Sequence, residues 1–421
     1  MNPKRHPLLQ ETSPSLNHQK LADILTTQEN ILIIQDLDGV CMGLVKDPLN
    51  RIIDPKYVEA TKAFNGHFYV LTNGEHIGKR GVNPILDRAF GNPNFVQENC
   101  LYLPGFAAGG VQWQDRQGKV SHPGVTEQEL AFLVQVPQRI QNQLEAFFNE
   151  HSTPLSSAEI NTGIEASILD NVASPTANLN TFYEKLKNHP ETYAKLQETI
   201  QTLMETLLEE AKQAGLTDSF FIHYAPNLGR DETGKELLRP ATETDSGTTD
   251  FQFMIRGAIK EAGVLAILNR YYSQRTGTYP LGETFNVRNA PNDYAELLQL
   301  VRDHFDFNLM PILIGVGDTV NSSVAEINGK LDVRRGGSDR AFLQLIQDIH
   351  PHNLTVYIDS SGGEVKNRQP VSIETTSTGE PNVVKLPTDA NDPLTLNIIF
   401  PNGHNEYTAF FRNVAATRRK S

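Results

Sequence analysis

Asp36-Leu37-Asp38-Gly39-Val40 places two carboxylates two residues apart, directly after the apolar run Asn30-Ile-Leu-Ile-Ile-Gln35. On a turn that leaves a strand, carboxylates at i and i+2 can point to one side. One can then attack as a nucleophile while the other handles protons. Gly39 permits the tight turn that brings backbone close to a ligand. The plainer reading is a surface turn with two solvated aspartates. A third carboxylate, Asp318 in Gly317-Asp318-Thr-Val-Asn321, also follows an apolar run. Carboxylates converging from separate loops suit Mg²⁺, which takes hard oxygen ligands and fills its octahedron with water and phosphate. Asp318 could instead cap a helix starting near Val320. Thr72-Asn73-Gly74 offers a hydroxyl, an amide side chain and free backbone N–H groups, all donors to a phosphoryl oxygen. It could equally be a plain strand-ending turn.

The elements that must position these groups are three apolar runs: Asn30 to Gln35, Gly66 to Leu71, and Met310 to Val316. Their length and β-branched content predict strands buried on both faces. Each ends in a polar group, and ligands of a parallel α/β sheet bind at the carboxyl ends of its strands. Between Asn73 and Arg288 lies a long segment with its own elements. Gln128 to Phe148 and Leu179 to Ala214 have helical spacing, the latter interrupted or restarted at Pro190. Ser219 to Tyr224 reads as a strand, Thr248 to Met254 as a strand or helix start, and Ile255 to Tyr272 as a helix. The expected organisation is a mobile arm over 1–24 with a short helix near Leu21 to Leu25, an α/β core over 25–99 and 286–421, and an inserted α+β domain over 100–285. From Leu354 onward, alternating stretches at 354–358, 396–400 and 407–411 predict a β-rich tail.

The 421 residues are 38% hydrophobic and 21% charged, with 30 Gly and 24 Pro, which excludes a coiled coil, a collagen-like chain and a wholly disordered one. No apolar run approaches the ~18 residues of a membrane span. The first thirty residues are polar and lack the apolar stretch of a secretory signal. Two cysteines, Cys41 and Cys100, cannot staple a chain of this size, so the expected compartment is the reducing cytoplasm. A formal net charge of −13 repels nucleic acid and anionic membrane, though a local basic pocket could still bind an anion.

The ordered set of strand-DLDGV, strand-TN and strand-GD resembles the haloacid dehalogenase superfamily of aspartate-nucleophile phosphatases. The resemblance implies a Rossmann-like parallel-sheet core with a large inserted α+β cap of the sugar-phosphate phosphatase type. It makes Asp36 the nucleophile, Asp38 the general acid/base and Thr72, with Asn73, the phosphoryl-binding group. Mg²⁺ would be held by Asp36, Asp318 and the backbone carbonyl of Asp38. Asp at the +2 position is typical of the phosphatase and mutase branches. The resemblance to sugar-phosphate phosphatases runs through the DLDGVCMGLV and GVGDTVNSS segments over essentially the full length. It implies a sugar-phosphate substrate, and association with the glycosyltransferase that makes it.

One family feature is missing from its usual place. A Lys or Arg should neutralise the aspartyl-phosphate, and the window Asn286 to Leu300 contains only Arg288. Arg288 is the expected cation; Arg302 lies closer to Asp318 but inside the helix that should follow, and Lys260 lies farther upstream, in a helix assigned to the cap. A sucrose- or trehalose-phosphate phosphatase, a phosphomutase and a non-catalytic regulatory homologue stay open as alternatives. The polar stretches Gly229 to Glu236 and Glu243 to Thr249 could bind sugar hydroxyls or form exposed loops. Glu75-His76 with Lys79-Arg80 could face the pocket or start a helix. Arg334 to Arg340 could bind an anion or be a solvated turn. Cys41 reads as a packing residue, and the single Trp113 has no legible partner.

Overall fold

The computed structural model describes residues 14–225, 227–230, 236–241, 246–327, 330–365 and 368–418. The chain divides into two compact units. The first comprises the described residues of Met1–His76, Val82–Gly124 and Ile259–Ser421, and the second those of Ile77–Gly81 and Val125–Ala258.

The first unit is built on an eight-stranded sheet. In spatial order its strands are Ile398–Phe400, Leu354–Ile358, Ile312–Gly317, Ile31–Gln35, Phe68–Leu71, Gly105–Ala107, Gln112–Gln114 and Val120–Ser121. The first six pair in parallel; the last two add an antiparallel edge. The fold class is therefore the expected α/β one, with a parallel-dominated sheet. Ile31–Gln35 and Phe68–Leu71 are buried at every position, as continuous β-branched and aromatic runs require when helices cover both faces. On one face Ile31, Ile33, Phe68, Val70, Ile314 and Val316 share a core with Leu21, Tyr57, Val58 and Phe411. On the other, Gly315 lies against Phe342, Leu343 and Ile346, and Gly263 against Leu71. The first strand pairs with Phe68–Leu71 on one side and with Ile312–Gly317, reached only after the long insertion, on the other. Chain order reverses there, and such a switch point opens a crevice at the strands' carboxyl ends.

The second unit carries a four-stranded antiparallel sheet, ordered Ile168–Leu169, Thr176–Asn178, Asp250–Ile255, Phe220–Ala225. Its helices are Glu127–Leu133, Val136–Glu150, Ser157–Ser167, Asn180–Lys185 and Pro190–Gln213. This is the α+β insertion expected from the sequence. Pro137 starts a new helix where one continuous helix was expected, and Pro190 restarts the second as expected.

Three boundaries differ from the sequence reading. Residues 100–124 and 259–285 fall within the first unit, not the insertion: Gly105–Ala107 extends the main sheet, and helix Lys260–Thr276 packs on its strands. The N-terminal arm is already ordered at His18–Thr27, where Leu21 and Leu25, one helical turn apart, are buried. In the tail, strands Leu354–Ile358 and Ile398–Phe400 close the main sheet, and Ser372–Thr375 pairs with Pro381–Lys385. Tyr407 to Phe411, expected as a strand, lies in helix His404–Arg418. Tyr407, Phe411 and Val414 recur at helical spacing, and all three are buried.

Candidate active site

Asp36 leaves the first strand at the switch point. Its N–H still pairs with Val316 O at 2.9 Å, so the backbone is held by the sheet as the side chain emerges. The loop beyond closes tightly: Leu37 O accepts from the N–H groups of Val40, Cys41 and Met42. Gly39 has φ +79°, and a Cβ there would fall 2.2 Å from Asp318 Oδ2. Glycine therefore lets the third carboxylate approach the nucleophile loop. Gly317 plays a similar part, because a Cβ there would fall 2.7–2.9 Å from Asp339.

Asp36, Asp318 and Asp339 are all buried and each offers a carboxylate oxygen within 4.8 Å of the others. Lys260, at the first position of its helix, reaches into this cluster. Its Nζ lies 2.9 Å from Asp36 Oδ2 and 2.7 Å from Asp339 Oδ1. Asp339 Oδ2 accepts from the backbone N–H groups of Asp318 and Thr319 at 2.9 and 3.0 Å. Asp36 Oδ1 accepts from Leu37 N–H at 2.8 Å. Asp318 Oδ1 accepts from the Thr319 hydroxyl, while its Oδ2 is buried without a hydrogen-bond partner.

The charge states follow from these contacts. Burial pushes Asp36 up to about 7, opposed by the Lys260 ammonium and helped by the negative charges of Asp339 and Asp38. Asp318 is driven well above the ordinary carboxylate range by burial first, then by Asp339 and Asp36. Burial works against charge on Asp339 too, but Lys260 and the backbone donors prevail and hold it low. Lys260 is held firmly protonated: its two carboxylate partners outweigh the cost of burying it. Three buried carboxyl groups sharing one ammonium would carry an excess of negative charge if all were ionised. An orphaned, oxygen-only ligand atom at its edge is what a hard divalent cation needs, so the residues fit Mg²⁺.

The other expected site residues are placed as follows. Asp38 is partly exposed, and its side chain turns to Arg51, with Nε to Oδ1 3.1 Å, instead of joining the acidic cluster. Thr72 is buried at the end of the neighbouring strand, where its Oγ1 accepts from Gly74 N–H at 3.2 Å. Asn73 is exposed. Arg288 donates to Gly124 O at 2.7 Å; the cation on Asp36 is Lys260. Asp318 caps no helix, since strand Asn321–Ile327 follows and pairs with Lys330–Gly336.

Lys260 and Asp339 are the two groups in the cluster that sequence reasoning did not place there. Their signal was available: a lysine opening the apolar helix Lys260–Thr276, and an aspartate in Gly336-Gly-Ser-Asp339, just before another helix. Charged residues in such settings are seldom buried unless paired.

Other motifs resolve as structure. Glu75 and Gln112 interact at 3.1 Å, while His76 N–H donates to Gln112 Oε1. Arg80 donates to Ile168 O and Ala166 O. Arg340 forms a buried ion pair with Asp392, and Arg335 donates to Asn391 O. Burial pushes the Cys41 thiol well up, with Asp38 and Asp36 adding, which suits packing and not attack. The Arg270 guanidinium covers the Trp113 ring at 4.4 Å. In the stretches Gly229 to Glu236 and Glu243 to Thr249, residues 231–235 and 243–245 lie outside the described residues. Glu236 accepts from Tyr224 N–H at 2.9 Å, and Thr249 N–H donates to Ala225 O.

Comparison with known proteins decides the family. The family model described as glucosylglycerol-phosphate phosphatase matches residues 30–415. The glucosylglycerol-phosphate phosphatase of Synechocystis sp. is 58% identical over 412 residues, covering 96% of this chain and 97% of that protein. The chain belongs to the glucosylglycerol-phosphate phosphatase family. The full-length resemblance read in the sequence is to this same family. Among solved structures, the trehalose-6-phosphate phosphatase C-terminal domain of C. albicans is similar at 10% identity and a TM-score of 0.44, covering 96% of this chain and 99% of that chain. A putative HAD/COF-like hydrolase from Plasmodium vivax is similar at 12% identity and a TM-score of 0.36, covering 95% and 99%. Among the described residues, no helix is long and apolar enough to cross a membrane.

Proposed function

We propose that this chain hydrolyses glucosylglycerol 3-phosphate to glucosylglycerol and phosphate, completing synthesis of a compatible solute used in salt tolerance. The observation that carries this reading is Asp36 at the strand switch point with Lys260 on its Oδ2, in a chain 58% identical to a glucosylglycerol-phosphate phosphatase.

Asp36 is the nucleophile. A carboxylate oxygen attacks phosphorus in line, and the bond from phosphorus to the glycerol oxygen breaks. Asp38 gives that oxygen its proton. It then takes a proton from the water that attacks the aspartyl-phosphate, releasing phosphate and restoring Asp36. Lys260 balances charge on Asp36 during attack, and Asp339 holds Lys260 in place through the 2.7 Å contact. The Thr72 hydroxyl would donate to a phosphoryl oxygen. Asp36 and Asp318, supported by Asp339, would hold Mg²⁺. When bound, that ion neutralises charge on the phosphoryl oxygens. Positioning and electrostatics supply most of the acceleration in such reactions. The reading places the chain in the cytoplasm, after the glycosyltransferase that makes its substrate and in association with it.

Phosphate release from glucosylglycerol phosphate, sucrose phosphate and trehalose phosphate tests the assignment. Preference for the first is expected. Preference for either of the others reassigns the substrate, and no release from any of them removes the phosphatase reading.

A further inference from the structure

Arg368 belongs to the segment joining strand Leu354–Ile358 to strand Ser372–Thr375. Buried Asp359 fastens that segment at both ends: its Oδ1 accepts from Ser361 N–H at 2.9 Å and its Oδ2 from Val371 N–H at 2.7 Å. Glu364 ties it to the loop beyond the nucleophile, its N–H donating to Leu44 O at 2.8 Å and its Oε2 accepting from Lys46 N–H at 3.0 Å. Arg368 is thereby held at the carboxyl end of the sheet. Its Nη2 donates to Thr319 Oγ1 at 3.1 Å, and its Nε lies 3.8 Å from Asp318 Oδ2. The arginine side chain is 24% exposed, while that of Asp318 is 1% exposed.

The geometry points to Arg368 as a second phosphate-binding cation of this site, one that leans on Asp318 and Thr319 until a phosphoryl group arrives. The inference rests on the phosphatase reading above and adds a residue to it. Charge makes the first argument. Three carboxylates, one ammonium and one divalent cation sum to zero, and a phosphate monoester then adds about −1.5 to −2. Arg368 offsets roughly half of that. Geometry makes the second. A charge-assisted hydrogen bond spans about 2.7–2.9 Å, so the 3.8 Å contact between Arg368 Nε and Asp318 Oδ2 is longer than such a bond. The planar guanidinium can engage two phosphoryl oxygens at once, which an ammonium cannot.

A distinguishing consequence concerns sign. A cation leaning on Asp318 opposes a metal ion at the same carboxylate, yet favours phosphate. Removing it should therefore weaken phosphate binding without weakening metal binding, which a merely structural role would not do.

The test is calorimetric titration of the parent chain, Arg368→Gln and Arg368→Lys, first with Mg²⁺ alone and then with inorganic phosphate at saturating Mg²⁺. Arg368→Gln should raise the phosphate dissociation constant about ten- to a hundredfold. Its Mg²⁺ affinity should be equal or higher, and Arg368→Lys should recover part of the phosphate affinity. Phosphate affinity within about twofold of the parent's in both variants would overturn the inference and leave the phosphatase reading standing. Parallel weakening of Mg²⁺ and phosphate would do the same, reducing Arg368 to a support for the acidic cluster. A parent chain that binds neither ligand would overturn both.

Discussion

Replacing Lys260 by methionine removes the one ammonium that touches both Asp36 and Asp339, at 2.9 and 2.7 Å. A unit charge about 4 Å from the charge developing on a transferring phosphoryl group is worth about 4 kcal/mol at an effective dielectric of ~20. That corresponds to a turnover loss of about three decades. Stability should fall as well, because breaking a buried ion pair from one side costs about 3–5 kcal/mol. The two losses separate by pH. Asp36 titrates near 7 with Lys260 in place, mainly because it is buried, and loses its chief stabilising partner in the variant. Below that pH Asp36 is protonated with or without Lys260, so its share of the stability penalty should be smaller at pH 6 than at pH 8, while Asp339 loses its partner at both. Phosphate release and urea unfolding at both pH values measure the two effects. Arg288→Met is the control, since that guanidinium holds Gly124 O and not Asp36. Lys260→Met within about tenfold of parent turnover, with Arg288→Met far below it, would refute the assignment of the cation.

Chelation should abolish turnover and Mg²⁺ should restore it; full activity in metal-free buffer would remove the acidic cluster from the mechanism. Phe411→Ala should cost about 3–5 kcal/mol in denaturant unfolding, because the ring is buried against Tyr57, Phe64 and Phe68 at centroid distances of 5.3, 5.0 and 5.8 Å. A loss under about 1 kcal/mol would show that helix His404–Arg418 is not docked as described. His76 is buried with its Nε2 at Gly105 O, and burial lowers it from 6.5 to about 4. A lowered histidine stabilises fully above pH 6.5 and loses that contribution as pH falls towards 4, here about 3 kcal/mol. The stability difference between parent and His76→Gln should shrink by about that much over this window; a difference that does not vary with pH would contradict it.

Asp36 and Asp318 were legible because each ends a continuous apolar run, and such runs announce buried parallel strands without help from distant residues. Their convergence follows from strand order alone. Lys260 was less legible, since its partners lie far away in sequence at positions 36 and 339. Its burial becomes plain only when the helix it opens is seen on the sheet. Asp339 was hidden by the hairpin Asn321 to Gly336, which separates it from Asp318, and by glycines that suggest a solvated turn. Gly105–Ala107 is a three-residue strand preceded by proline, too short to carry a period. The Tyr407–Phe411 stretch satisfies both alternation and helical spacing over five residues. The burial of Val414, one turn further on, distinguishes them.

The phosphoryl group is expected to pass through Asp36. Single-turnover labelling with phosphate-labelled glucosylglycerol phosphate tests it in the parent, Asp36→Asn and Asp38→Asn. Asp36→Asn should form no phosphoenzyme, because the amide cannot attack as a carboxylate. Asp38→Asn retains the nucleophile and loses proton transfer, a contribution of about 10²–10⁴-fold, so it should turn over slowly with label on Asp36. Label captured by Asp36→Asn at any position would contradict the account, because attack would then come from another residue.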